Sequence, residues 1–276
     1  MNLQANESRL TPPPDAWDCH MHVFEPGFPI APTATAQPPL APVAAYRKVQ
    51  AALGLAHAVV VQPTAYGFDN RCTLQAMAAL GPAARGIVVI QPSTARDELD
   101  RLHRLGVRGV RYMMLAGGAL AWESLEATAC AIEPLGWHID LQLDGRYLPQ
   151  HEAQLRSLPC RLVIDHNGKF LSPVPPSHAG CQALLRLLQA GRCWVKLSAP
   201  YETSKVGPPS YDDVGDLARA FVSAAPERCL WASNWPHLNT RPAPSDADLL
   251  DLLLAWTDDA SARQRILVEN PAALYR

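Results

Sequence analysis

The stretch Trp17-Asp18-Cys19-His20-Met21-His22-Val23-Phe24 sets two imidazoles one residue apart in what reads as a β-strand. Side chains alternate faces along a strand, so Asp18, His20 and His22 are expected to project together. Two imidazoles on one face can converge on a metal ion or on a reacting carbonyl. A carboxylate two residues upstream can take a ring N–H and fix the tautomer. Solvent-facing or hydrogen-bonded histidines are the plainer alternative, so the rest of the chain has to supply the context.

The elements that would position this pair follow a regular alternation. A loop over 25–42 carries six prolines (Pro26, Pro29, Pro32, Pro38, Pro39 and Pro42), which exclude regular structure. A loop of that length inside a compact domain is usually functional and is expected to overhang the site. Helices are predicted over 44–53, 69–80, 94–105, 120–135, 148–158, 179–190 and 212–224, most of them stopped by glycine, and 244–276 reads as mostly helical. Between them lie short apolar strands at 57–63, 86–92, 107–114, 137–144, 161–167, 193–198 and 229–236. Eight strand–helix units at roughly thirty-residue spacing predict an α/β fold, a single (β/α)8 TIM barrel. A doubly wound open sheet also alternates in this way, but the chain has no Gly-rich first turn. The barrel is expected to occupy 15–276, after a flexible N-terminal tail over 1–14.

Barrel enzymes work at the carboxyl ends of their strands, and those ends are where this sequence turns polar. They carry His20 and His22 on strand 1, Arg108 and Arg111 on strand 4, and Asp144-Gly145-Arg146-Tyr147 after strand 5. Asp165-His166 follows strand 6, Lys196-Leu197-Ser198-Ala199-Pro200-Tyr201 strand 7, and Asn234-Trp235-Pro236-His237 strand 8. His166 can be read as a core histidine, but a strand end beside Asp165 favours function. Arg108 and Arg111 are three residues apart, so at most one is expected in the lumen unless a bulge intervenes. A lumen-facing Lys196 would need an anionic partner or substrate. Asp140 and Gln142 share a face and can simply pair inside the barrel.

The 276 residues are 48% hydrophobic and 18% charged, with a net charge of −2. This balance is ordinary for a globular chain and gives no electrostatic footprint for nucleic acid or for an anionic membrane surface. No stretch is apolar enough for a membrane span, and the first fourteen residues lack the apolar centre of a signal peptide. Seven scattered cysteines without a CxxC pair suggest neither a disulfide framework nor a zinc knuckle. A cytoplasmic protein is expected.

Taken together, Asp18-Cys19-His20-Met21-His22-Val23-Phe24, Val163-Ile164-Asp165-His166-Asn167-Gly168-Lys169, Trp194-Val195-Lys196-Leu197-Ser198 and Trp231-Ala232-Ser233-Asn234-Trp235-Pro236-His237 resemble the amidohydrolase superfamily. More narrowly they are similar to its lactone-processing branch, typified by the 2-pyrone-4,6-dicarboxylate lactonases, over essentially the whole chain. The resemblance implies a hydrolase that attacks the carbonyl of a small anionic lactone, with His20, His22, His166 and the strand 8 residue Asn234 catalytic. It implies Arg111, Tyr147 and Tyr201 as holders of substrate carboxylates, joined by Lys196 and His237 as substrate-binding candidates. Members of the branch differ over metal, so the implied cofactor is either none or one divalent ion, zinc or manganese, with His20 and His22 as candidate ligands. Self-association into a homo-oligomer is left open.

Two departures from the family pattern matter. Hydrolytic members carry Asp where this chain has Asn234, and a carboxamide neither takes a proton from water nor binds metal well. Relatives carry an arginine near the strand 7 tyrosine, where this chain has Glu202 and then Lys205. A lactone isomerase, in which a substrate hydroxyl replaces water, is therefore the alternative expectation. A metal-dependent decarboxylase is disfavoured, because it too relies on the strand 8 carboxylate. A non-catalytic ligand-binding barrel comes last.

Overall fold

The structure, a computed structural model, describes residues 7–238 and 240–276. Eight strands pair in parallel in chain order: β1 (Trp17–Met21), β2 (His57–Val61), β3 (Ala84–Val88), β4 (Val107–Met113), β5 (His138–Gln142), β6 (Arg161–Ile164), β7 (Cys193–Leu197) and β8 (Cys229–Trp231). Just past the strands the sheet meets itself, where His22 N donates to Trp235 O and Asn234 N to His20 O, both at 2.9 Å. The helices α1 (Val43–Leu53), α2 (Arg71–Leu80), α3 (Arg96–Arg104), α4 (Leu125–Ile132), α5 (Leu148–Ser157), α6 (Ala179–Gln189), α7 (Asp212–Ala224) and α8 (Asp246–Trp256) alternate with them, and α9 (Ala260–Gln264) and α10 (Asn270–Tyr275) end the chain. This is the (β/α)8 TIM barrel that the alternation predicts. Residues 1–6 of the expected N-terminal tail lie outside the described residues. Nearer the barrel, Leu10 N donates to Asp251 Oδ1 of α8 at 2.8 Å.

Strand periodicity sorts the apolar residues into two layers. Trp17, Cys19, Val59, Val61, Ile87, Val163, Trp194 and Leu230 interlock inside the barrel, and Leu274 and Tyr275 of α10 close its amino-terminal end. The alternate residues, such as Val60, Val110, Ile139 and Val195, join the helix side chains in the larger outer layer. On α3, Leu99 and Leu102 are its buried pair. The helix predicted over 120–135 is instead α4 flanked by tight turns at Trp122–Ser124 and Glu133–Leu135. Pro134 lacks the N–H that an α-helix needs there. Strand β8 stops at Trp231 rather than running to Pro236, because Asn234 takes a left-handed conformation at φ 57°.

Two irregularities decide what faces the lumen. The register of β1 against β2 shifts between Asp18 and Met21. Trp17 and Cys19 lie in the inner layer and Met21 in the outer one, and the extra residue lets His20 turn inward beside Cys19, as His22 also does. The expectation that Asp18 shares their face is overturned. Its carboxylate instead accepts from Tyr46 Oη of α1 at 2.9 Å, from Ser233 Oγ at 2.6 Å and from Ser233 N at 3.0 Å. It stitches the seam between β1 and β8 and fixes the tautomer of neither histidine. On β4 a second shift falls between Val107 and Gly109. Arg108 leaves the lumen to donate to His103 O at 3.2 Å, and Arg111 alone of the two points inward. A Cβ on Gly109 would stand 2.7 Å from the His138 carbonyl oxygen, so β4 and β5 approach closely only because this residue has none.

Candidate active site

The turns leaving β6, β7 and β8 are built from strained backbone. His166, Asn167, Lys169, Ala199, Asn234 and His237, six of the eight non-glycine residues at positive φ among the described residues, sit there. Such conformations cost of order 1–3 kcal/mol each and persist only where the surroundings enforce them. Here they swing polar side chains over the mouth of the lumen.

Below that mouth lies a buried cluster. His22 Nδ1–H donates to Val61 O at 2.8 Å, which leaves His22 Nε2 as an acceptor, 3.2 Å from His20 Nε2. Lys196 Nζ, with no exposed side-chain surface, lies 2.6 Å from Asp140 Oδ2, 3.0 Å from His20 Nδ1 and 3.1 Å from Asp165 Oδ1. Asp165 Oδ1 is also 3.3 Å from His20 Nδ1. Neither approach to Asp165 has hydrogen-bond geometry, and both of its buried carboxylate oxygens go without a hydrogen-bond donor. The His166 ring stands 4.8 Å from that of His20, held by Ser198 Oγ at 2.8 Å from its Nδ1. One donor atom each from His20, Asp165 and His166 lie within 4.8 Å of one another.

Arg111 crosses the lumen from β4, only 5% exposed. It donates to Gln62 O at 2.8 Å and to Gln142 Oε1 at 3.0 Å, both neutral. Its Nε–H is buried without a partner, and among the described residues it forms no ion pair with a carboxylate. A guanidinium in that state is undercompensated. On the opposite wall a directed chain runs outward. Asn234 Nδ2 donates to Tyr201 Oη at 2.9 Å, so the tyrosine hydroxyl donates to His237 Nδ1 at 3.0 Å, and His237 Nε2–H to Asp246 Oδ1 at 2.9 Å. Asn234 Nδ2 is also 3.4 Å from Glu202 Oε1, and Glu202 pairs with Lys169.

Burial keeps the histidines neutral. It pushes His22 down to about 3, with Arg111 adding to the effect, and His166 down to about 4. Burial and the Lys196 charge hold His20 well below the ordinary range. Burial and the neighbouring Asp165 raise Asp140 to about 7, against the pull of Lys196. For Glu202, burial pushes upward, but Lys169 and His166 outweigh it and leave the carboxyl below its usual value. The mouth is therefore lined by neutral imidazoles, a cation aimed inward and an ionised carboxylate beside Asn234. This arrangement can seat an anion, donate hydrogen bonds to a carbonyl oxygen and accept a proton.

Of the residues singled out by sequence, His20, His22, His166 and Arg111 converge in the lumen, and Asn234, Tyr201 and His237 form the wall beside them. Lys196 lies deeper, with its ammonium directed at protein atoms. Tyr147 is 51% exposed and lines a separate hollow with Trp122 and His151. Sequence reasoning passed over Glu202, Lys169 and Ser198 as parts of the site. The one signal for Glu202 was its replacement of a basic residue after Tyr201. A cavity of about 480 Å³ adjoins the cluster through Phe24 and His237, and residues 34–39 of the proline-rich loop form one of its walls. That volume suits a small ligand.

The amidohydrolase family model matches residues 17–276. The chain is 36% identical to a D-galactarolactone isomerase of Agrobacterium fabrum, an alignment that covers 96% of this chain and 92% of that one. It is 34% identical to a 2-pyrone-4,6-dicarboxylate hydrolase of Comamonas testosteroni, over 95% of this chain and 90% of the other. Among solved structures, a probable 2-pyrone-4,6-dicarboxylic acid hydrolase of Acinetobacter baumannii with citric acid bound superposes with a TM-score of 0.85 at 26% identity, covering 95% of this chain and 99% of that one. The chain belongs to the amidohydrolase family.

Proposed function

We propose that this member of the amidohydrolase family catalyses acyl transfer at the carbonyl of a small carboxylated lactone, opening the ring with water. The observation that carries this reading is Arg111, a buried guanidinium with a free Nε–H and no carboxylate partner among the described residues. A substrate carboxylate supplies the missing charge and fixes the ring above the histidines. The lactone carbonyl then lies over the His20–His22 pair, where an imidazole N–H stabilises the oxyanion as it forms. His166, held by Ser198, and Glu202, next to Asn234, are the proton acceptors within reach of that oxygen chemistry. Tyr201 and His237 keep Asn234 oriented, and the cavity beside them takes the rest of the substrate. Relatives named for a pyrone dicarboxylate and for galactarolactone, and a structural neighbour that holds citric acid, support an anionic small-molecule partner.

Asn234 favours a second reading, isomerisation. An amide cannot deprotonate water, whereas a substrate hydroxyl arrives already positioned and needs only a modest base to attack the carbonyl. The named isomerase among the relatives supports this alternative.

Apart from the Lys196 ammonium in their midst, the donor atoms are of the kind a divalent ion collects. Asp165 carries two buried oxygens that accept no hydrogen bond. The His20 and His22 Nε2 atoms are 3.2 Å apart, near the roughly 3.3 Å that two nitrogen ligands of a tetrahedral zinc span. Zinc or manganese would be held by His20 and His22, with Asp165 or His166 completing the site, and would polarise the lactone carbonyl.

No helix of the described residues is long and apolar enough to cross a membrane. Cysteines without disulfides support placement in a reducing cytoplasm.

Titration at constant pH with a panel of carboxylated lactones tests the reading. Hydrolysis releases one proton per turnover and isomerisation none, with product lactone seen by NMR. A panel that binds and is neither opened nor rearranged would leave only a ligand-binding barrel.

A further inference from the structure

Within this site, Lys196 has no role in the chemistry proposed above, yet its buried ammonium is held among two carboxylates and an imidazole. An ammonium has three N–H donors and no lone pair. Two of them are in hydrogen-bond geometry, to Asp140 Oδ2 at 2.6 Å and to His20 Nδ1 at 3.0 Å. The third side faces Asp165 Oδ1 at 3.1 Å. The group therefore gathers two carboxylates and an imidazole, the kind of neighbours that a divalent cation collects.

The direction of that hydrogen bond dictates the next ones. If His20 Nδ1 accepts from Lys196, a neutral His20 must carry its proton on Nε2. That N–H points at His22 Nε2, 3.2 Å away, and His22 is itself fixed as an acceptor there by its Nδ1–H···O=C bond to Val61 at 2.8 Å. Each ring nitrogen of His20 and His22, from the Lys196 ammonium to Val61 O, then faces a complementary partner. The opposite tautomer, with His20 Nδ1–H directed at Asp165, would set two bare Nε2 lone pairs against each other at 3.2 Å. Only a cation between them relieves that contact.

We propose that Lys196 is a built-in cation that fixes His20 as the Nε2–H tautomer, so that the pair's transferable donor is the His20 N–H, held by His22 Nε2 until a substrate carbonyl takes it, and the pair is closed to a divalent ion. Lys196 is thus a positioning residue, acting through His20. The idea rests on the proposed role of the pair, but its test needs no lactone. In protein labelled with [15N]histidine, long-range proton–nitrogen spectra distinguish protonated from bare ring nitrogens. The wild type is expected to show His20 with Nδ1 bare and Nε2 protonated. In Lys196→Met, and in Lys196→Met/Asp140→Asn, which removes one charge of each sign and so spares the fold, His20 is expected to move its proton to Nδ1. Both variants are expected to bind Co2+, the probe ion, at least 100-fold more tightly than the wild type, with the visible absorption bands of a histidine-ligated ion. His20 found as the Nδ1–H tautomer in the wild type, or wild-type Co2+ affinity equal to that of the variants, would overturn the proposal. Because the wild-type spectrum alone can refute it, failure of a variant to fold leaves the test intact. Failure of the lactone assays would leave the tautomer result unchanged.

Discussion

Replacing Arg111 by Met should separate binding from folding, because the two depend on this side chain in opposite ways. In the fold the guanidinium is 5% exposed, with only neutral partners among the described residues. Removing it forfeits two hydrogen bonds, about 1 kcal/mol each. It also relieves a desolvated charge, whose effective burial penalty is several kcal/mol before compensation. Methionine fills much of the same volume, so stability should change by no more than about 1 kcal/mol in either direction. Substrate recognition has no such offset. Truncating one partner of a buried, hydrogen-bonded charge pair costs about 2–5 kcal/mol. At about 1.36 kcal/mol per decade, kcat/KM for a carboxylated lactone should fall about 30-fold to about 5,000-fold. The assay compares kcat/KM for that lactone with the value for its uncharged amide, alongside urea unfolding. The amide should show little further loss in the variant. His22, whose low value owes part of its depression to Arg111, should also become easier to protonate. Equal losses for the charged and uncharged lactones, or full activity toward both, would refute the argument that this cation awaits a carboxylate.

Other outcomes follow from the same geometry. Asn234→Asp removes the donor to Tyr201 Oη and sets a second carboxylate against Glu202 Oε1, now 3.4 Å from the amide nitrogen. Thermal melts should show a loss of about 1–3 kcal/mol; an unchanged melt would place this side chain away from Glu202. Acid should destabilise the fold through its buried imidazoles. His22 and His138 titrate at about 3 and His166 at about 4, against 6.5 when unfolded. The stability they contribute is complete above 6.5 and is lost as the pH falls through that window, by about 2 kcal/mol per histidine between pH 7 and 5. Asp140, raised to about 7, acts in the opposite sense, and its contribution is lost as the pH rises toward that value. Urea midpoints at the two pH values measure the net, and equal midpoints would contradict the burial of these rings.

The barrel was legible because its signal is redundant. Eight apolar runs such as Val59-Val60-Val61 and Ile139-Asp140-Leu141, each followed by a glycine-stopped helix, leave few alternatives. His20, His22 and His166 were visible as polar residues at strand ends. What stayed hidden depends on deviations from the regular strand. A one-residue bulge in β1 puts His20 on the face opposite Asp18, against the simple alternation, and no residue type between Asp18 and Met21 announces it. The left-handed turn at Ala199 carries Pro200, Tyr201 and Glu202 past the end of β7. There a carboxylate that reads as a loop residue becomes a neighbour of Asn234 and Lys169. Lys196 was legible as a lumen cation in need of an anion, but whether substrate or protein supplied that anion depended on Asp140 and Asp165, on two other strands.

The central claim is that this site acts on a lactone carbonyl, and carbon NMR tests it most directly. A carboxylated lactone enriched with 13C at its carbonyl is turned over in H2 18O. The labelled carbon should move either to a free carboxylate carrying one 18O, if water attacks, or to a new lactone without 18O, if a substrate hydroxyl does. His22→Ala should abolish whichever product forms. A labelled carbon that stays in the original ring while the lactone binds, or a product changed at some other carbon, would contradict the claim.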